Sequence, residues 1–146
     1  MPTIPYERKA HYHETDQMGM VYHANYIHWF EEASVDMMNQ LGISYKALAE
    51  AGIVIPVLEV HADYKSVVRF DDTAVVYVNL VHFDGVRMEV QCRVADKATG
   101  KTCCTGYTKH CFLTKEGRPV SLKRTNPDFY GILNVGIGLN KEYFAG

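Results

Sequence analysis

Between Tyr26 and Leu41, the apolar residues Tyr26, Phe30, Ala33, Met37 and Leu41 recur at spacings of three and four. That is the period of one helix face. His28, Glu31, Glu32, Asp36, Asn39 and Gln40 fill much of the other side, and Gly42 is placed to stop the helix. "SYKALAEAG" predicts a short second helix, capped by Ser44 and stopped at Gly52. Beyond Gly52 the pattern changes to strands. A chain with one long amphipathic helix and a run of strands has an economical solution: a highly curved sheet facing the helix, an α+β architecture.

The strands read as follows. "YERKAHYH" predicts a first strand before the helix. "IVIPVLEVHADYKSV" reads as one long strand. "TAVVYVNLVHF" is apolar on both faces, as a central strand covered on both sides would be. Asp84-Gly85 signals a hairpin into Val86, Met88, Val90, Cys92 and Val94, which alternate with Arg87, Glu89, Gln91 and Arg93. "KATGK" is a turn, "TCCTGYTKHCFL" the next strand, and the tail, with Pro119 and "NPDFYGIL", holds a short closing helix. The expected order is strand, helices, then four strands in antiparallel succession.

A length of 146 residues suits one domain, 1–146, with a sizeable core. The balance of 47% hydrophobic and 22% charged residues is globular, and a net charge of −2 excludes a strong field for nucleic acid or acidic lipid. "MPTIPYERKA" has no apolar core and no run approaches ~18 apolar residues, so no membrane span and a cytoplasmic location are expected. Cys92, Cys103, Cys104 and Cys111 lack CxxC spacing and read as small buried apolar groups, with adjacent Cys103 and Cys104 on opposite strand faces.

The chemistry concentrates in "YHETDQMGMVYHANYIHWFEEA", residues 12–33, where a strand hands over to the helix. Asp16 precedes Gly19, which permits a tight turn. If the helix begins near Tyr22 or His23, its free N–H groups and positive dipole end point into one small volume. Such a place polarises a carbonyl, and a carboxylate beside it can attack that carbonyl or activate a water. Tyr12 lies four residues before Asp16 and His23 seven after, so both can converge on the acid if the loop folds back. Each has a plainer role too: Asp16 as a cap or solvated turn residue, Tyr12 as packing, His23 as a surface or capping residue. A metal set of His11 and His13 on one strand face, with His28 and Glu31 or Glu32 on the helix, has nothing linking its halves, so no metal is expected. No Gly-rich phosphate loop, GxSxG elbow or Cys/His nucleophile pattern is present.

"TDQMGMVYHANYIHWFEEA" resembles the signature of the hot-dog-fold acyl-CoA thioesterases of the 4-hydroxybenzoyl-CoA thioesterase type, in the bacterial branch with a Tyr, Asp and His at this spacing. "DYKSVVRFDD" is similar to the family's second-strand segment, and "ATGKTCCTGYTKHCFLTKEGRPV" to its last hairpin and tail. The resemblance implies a hot-dog fold and hydrolysis of an acyl-CoA without metal or other cofactor, a thioester being already activated. It puts Asp16 in the catalytic carboxylate position, as nucleophile or general base. It puts His23 where a backbone N–H polarises the thioester carbonyl, and Tyr12 where a side chain meets the acid or the acyl group. It also implies a homo-oligomer, dimer or tetramer, with sites between subunits. Lys65, Arg69, Arg118 and Lys123 are candidates for the coenzyme A phosphates. The alternatives are a hot-dog dehydratase and a non-catalytic acyl-CoA-binding module.

Overall fold

The computed structural model describes residues 1–145. The chain runs β1 (Tyr6–Lys9), α1 (Ala24–Leu41), α2 (Tyr45–Glu50), β2 (Ile53–Val54), β3 (Val57–Tyr64), β4 (Thr73–Phe83), β5 (Arg87–Asp96), β6 (Thr102–Cys111), β7 (Leu113–Thr114), α3 (Leu122–Thr125) and α4 (Pro127–Gly136). Single 3₁₀ turns occupy Tyr12–Glu14 and Lys141–Phe144. Five antiparallel strands in the order β1-β4-β5-β6-β3 form one sheet, and β2 and β7 form a small second one.

Helix α1 buries the predicted stripe. Tyr26, Phe30, Ala33 and Met37 lie in the core, joined by Trp29, Ser34 and Met38, while Leu41 packs at its margin. Fully burying a side chain such as Phe30 stabilises by roughly 2–3 kcal/mol, so this face rather than helix propensity holds α1. Gly42 caps it in the left-handed region, and Ser44 caps α2 by accepting from the Ala47 N–H. Opposite α1, the inner faces of β4, β5 and β6 contribute Val76, Val78, Leu80, Met88, Val90, Cys92, Val94 and Cys104. Gly106 on β6 leaves room where the Phe30 ring of α1 and the β3 backbone both approach. A Cβ there would lie 3.0 Å from the Phe30 ring and would run into the His61 carbonyl oxygen of β3. Register shifts at Leu80/His82 in β4, at Val57/Glu59 in β3 and at Val94/Ala95 in β5 add the irregularities by which a sheet bends.

Three expectations are corrected. First, the leading strand stops at Lys9, because the chain turns at residues 12–14 to deliver the Glu14 carboxylate to Arg8. Second, the segment read as one long strand is two, interrupted between Val54 and Val57 around Pro56, which has no N–H for a ladder. Third, β3 is not the neighbour of β4 but pairs with β6 on the far edge. The crossing segment 65–72 is thereby drawn over the start of α1. The expected burial of the cysteines holds for Cys92, Cys103 and Cys104, Cys111 is half-buried, and β6 carries an extra residue at Cys103 against β5.

The second face of β4 is covered mainly by the tail. Tyr143 packs on Tyr77 at 5.1 Å, and the Asn140 N–H donates to Asn79 Oδ1 at 3.0 Å. Asn140 Nδ2 also donates to the Val78 carbonyl and to Thr3 Oγ1, tying both ends of the chain to β4. Val81 stays exposed. No helix among the described residues is long and apolar enough to cross a membrane.

Candidate active site

The site is assembled where residues 15–21 double back. Gly19, at φ +74°, makes the reversal possible, and a bridge between Thr15 and Val21 closes it. Inside this loop Asp16 Oδ1 accepts from the Met18 N–H at 2.8 Å and the Met20 N–H at 3.2 Å. Asp16 Oδ2 has no donor among the described residues. The carboxylate is thus fixed by one oxygen and presents the other.

The loop returns directly into the start of α1. The Tyr22 N–H donates to the Glu14 carbonyl at 2.9 Å, and Asn25 Nδ2 donates to the same oxygen at 2.8 Å. His23 is the N-cap of α1, with its imidazole exposed and tilted against the Tyr22 ring at 4.3 Å. The next N–H groups, of His23 and Ala24, have no acceptor among the described residues. They sit at the positive end of an 18-residue helix. Crossing segment 65–72 forms the other wall: Val21 donates to the Val68 carbonyl, Met20 bridges Arg69, and the Phe70 N–H donates to the Gly19 carbonyl. The Val68 N–H donates to Tyr26 Oη at 3.1 Å, and burial pushes that phenol up to about 12, so it stays neutral.

Glu14 was not singled out from the sequence, yet it is the one fully buried charged side chain among the described residues. Oε1 accepts from Arg8 Nη1 at 3.0 Å and the His11 N–H at 2.8 Å, and Oε2 from Arg8 Nη2 at 2.8 Å and Trp29 Nε1 at 3.0 Å. Arg8 reaches Glu32 of α1 as well. Glu14 therefore welds the acid loop to β1 and α1. Burial alone would raise its pKa, but the His11 N–H, the Trp29 indole and the Arg8 guanidinium together hold it below the ordinary glutamate value.

The folded-state pKa of Glu14 lies below the unfolded one, so the stabilisation is present above the unfolded pKa and is lost as pH falls through the folded one. Glu14→Gln is expected to cost ~3 kcal/mol in urea unfolding at pH 7, with the gap to wild type closing below about pH 4. Equal stabilities at pH 7 would contradict the network.

The other predicted residues fall as follows. Tyr12 is on the 3₁₀ turn rather than a strand; it is 78% exposed, sets its ring edge-on against Phe70 at 5.6 Å, and makes no hydrogen bond to Asp16. His11, His13 and Glu14 bring ligand atoms within 4.8 Å of one another. Both Glu14 oxygens are already doubly occupied, however, which leaves two exposed imidazoles, a poor metal site. His28, Glu31 and Glu32 lie along the outer face of α1, lining a surface groove of about 510 Å³ with Tyr6 and Asp36. Lys65 and Arg69 belong to the crossing segment at the start of β4. Arg118 follows β7, and Lys123 is in α3, whose Leu122 N–H donates to the Gly85 carbonyl beyond the end of β4. One chain thus keeps the two basic pairs at opposite ends of an 11-residue strand.

With a carboxylate on the loop that leads into the free N–H groups of a helix start, and a sheet wrapped around that helix, the likeness to known proteins becomes specific. The sequence profile described as the thioesterase-like superfamily matches residues 10–132. The chain belongs to the thioesterase-like superfamily. YneP of Bacillus subtilis (strain 168), assigned only provisionally as an acyl-CoA thioesterase, is 30% identical over 125 residues, covering 85% of this chain and 90% of YneP. The acyl-CoA thioesterase YbgC of Haemophilus influenzae is 29% identical over 108 residues, 69% of this chain and 79% of that protein. The structure of a DHNA-CoA thioesterase from Staphylococcus aureus matches with a TM-score of 0.87 at 29% identity, covering 95% of this chain and 93% of that one. The architecture is the hot-dog fold, and the matched span of the thioesterase-like superfamily contains Asp16, the start of α1 and the crossing segment.

Proposed function

We propose that this thioester hydrolase is an acyl-CoA thioesterase of the 4-hydroxybenzoyl-CoA type, residues 1–146 forming one catalytic domain that works in the cytoplasm on acyl-CoA + water → carboxylic acid + CoA-SH. The observation that carries the reading is the Asp16 carboxylate, held by one oxygen and presented by the other on the loop that leads into the unpaired His23 and Ala24 N–H groups. Thioester hydrolysis needs these two elements together. The N–H pair takes up the charge that develops on the carbonyl oxygen. Asp16 Oδ2 either attacks the carbonyl carbon, expelling the thiolate and leaving an anhydride for water to open, or takes a proton from the attacking water. His23 acts through its main chain, while Tyr12 and Phe70 offer an aromatic wall to the acyl group.

Coenzyme A phosphates are assigned to Lys65 and Arg69 from one protomer and to the partner's Arg118 and Lys123. This division follows from a homodimer joined antiparallel along β3, which lays the Gly85 end of one sheet beside the Tyr64 end of the other; two such dimers make the tetramer. The relatives named as acyl-CoA and DHNA-CoA thioesterases support the substrate class. The test is free-thiol release from acetyl-, hexanoyl-, palmitoyl- and benzoyl-CoA, run beside hydration of crotonyl-CoA. Thiol release from at least one thioester without hydration is expected. Hydration without thiol release would make the chain a dehydratase, and tight binding with neither reaction a carrier.

A further inference from the structure

Tyr64 closes the edge strand β3, 41 residues along the chain from the helix start, yet its hydroxyl donates to the His23 carbonyl oxygen at 2.8 Å. The ring is held for that purpose, edge-on to Tyr26 at 5.3 Å and to His23 at 6.1 Å. The same carbonyl accepts a longer bond, 3.3 Å, from the Tyr26 N–H. The acceptor matters because the His23 carbonyl and the Ala24 N–H belong to one peptide unit. A donor on the oxygen side of an amide draws electron density through the C–N bond and makes its N–H a stronger donor. The Tyr64 hydroxyl also fixes the plane of that peptide, hence the direction in which the Ala24 N–H points. Burial raises the Tyr64 pKa, so it remains a donor throughout the neutral range.

We propose that Tyr64 is a positioning residue for thioester hydrolysis, which orients and polarises the His23–Ala24 peptide through its hydroxyl and so links edge strand β3 to the carbonyl-binding N–H groups. It acts on the peptide, not on the substrate. The inference rests on the thioesterase reading of Asp16 and the helix start.

Tyr64→Phe removes the hydroxyl alone and keeps the ring contacts. With the faster of benzoyl-CoA and hexanoyl-CoA as substrate, kcat is expected to fall about 5- to 10-fold with KM within twofold, because the bond matters most when charge develops on the thioester oxygen. The melting temperature and sedimentation should match wild type. Tyr64→Leu, which also removes the ring, should lose at least as much in kcat. An unchanged kcat in Tyr64→Phe overturns the proposal. So does a loss carried by KM, which would make the phenol a substrate contact, or a loss that comes with dissociation, which would make it an interface residue. Asp16→Asn assayed alongside separates the two layers. Sustained turnover by that variant removes the site reading itself, whereas a silent Tyr64→Phe beside an inactive Asp16→Asn removes only the role of Tyr64.

Discussion

Asp16→Asn is expected to lower kcat by ~10²-fold or more while KM changes little. The asparagine carbonyl can still accept from the Met18 and Met20 N–H groups, so the loop keeps its shape. What it loses is the anionic Oδ2, and with it both the attack on carbon and the removal of a proton from water. His23→Ala supplies the contrast. The His23 imidazole is exposed and caps nothing, whereas its N–H is kept by any residue but proline. It is therefore expected to cost only ~10-fold. Measuring kcat for both variants from about pH 5.5 to 9 decides the assignment. Near-normal turnover by Asp16→Asn removes the acid from the mechanism, and a folded His23→Ala as impaired as Asp16→Asn makes the imidazole, not the peptide, the working group.

Local signals carried much of this architecture. The stripe from Tyr26 to Met37, the Gly42 and Ser44 caps and the Asp84-Gly85 hairpin each need only residues a few positions apart, and each holds in the fold. Trp29 and Met38 were harder, because the buried arc of α1 is wider than the single row traced by spacings of three and four. Long-range choices were not legible. Nothing in the period of "VLEVHADY" says whether β3 pairs with β4 or crosses to β6, since either neighbour satisfies the same alternation. The candidate site divides along the same line. Asp16 and the helix start are near one another in sequence, so the turn around Gly19 that carries the acid on the loop into α1 was legible from local residues. Glu14 was missed because its partners, Arg8 and Trp29, sit 6 and 15 residues away on different elements. An acid two positions before the turn Asp, with an Arg and a Trp in reach, was the available signal. Tyr64 required the crossover to be known. Tyr12 was assigned to a strand that the Glu14 network had already bent into a turn, which swung its ring to Phe70.

Val60→Lys on β3 is expected to convert the protein to a monomer at micromolar concentration and to lower kcat/KM by ~10²-fold. Strand β3 is an eight-residue edge with no proline, and Val57, Leu58, Val60 and Tyr64 along it are 37–55% exposed. An edge of this length and apolarity invites pairing with another chain, and proteins that stay monomeric blunt such edges with lysine or proline. In the proposed homodimer that partner is a second copy. About a two-fold axis an antiparallel edge pairs with itself, and Val60, near the middle of β3, would meet its own counterpart or a neighbour of it. Two lysines there would repel within an apolar seam, whereas in a monomer a lysine at this exposed position is harmless. The variant should therefore keep its far-ultraviolet circular dichroism while losing its partner. Under the proposed homodimer, activity should fall with it, because the pairing that would bring the partner's Arg118 and Lys123 beside Lys65 and Arg69 is lost. Sedimentation of both proteins, with thiol release measured on the same samples, gives the answer. A monomeric Val60→Lys protein with wild-type turnover would mean that each chain carries a complete site, and a wild-type protein that sediments as a monomer would remove the β3 interface altogether.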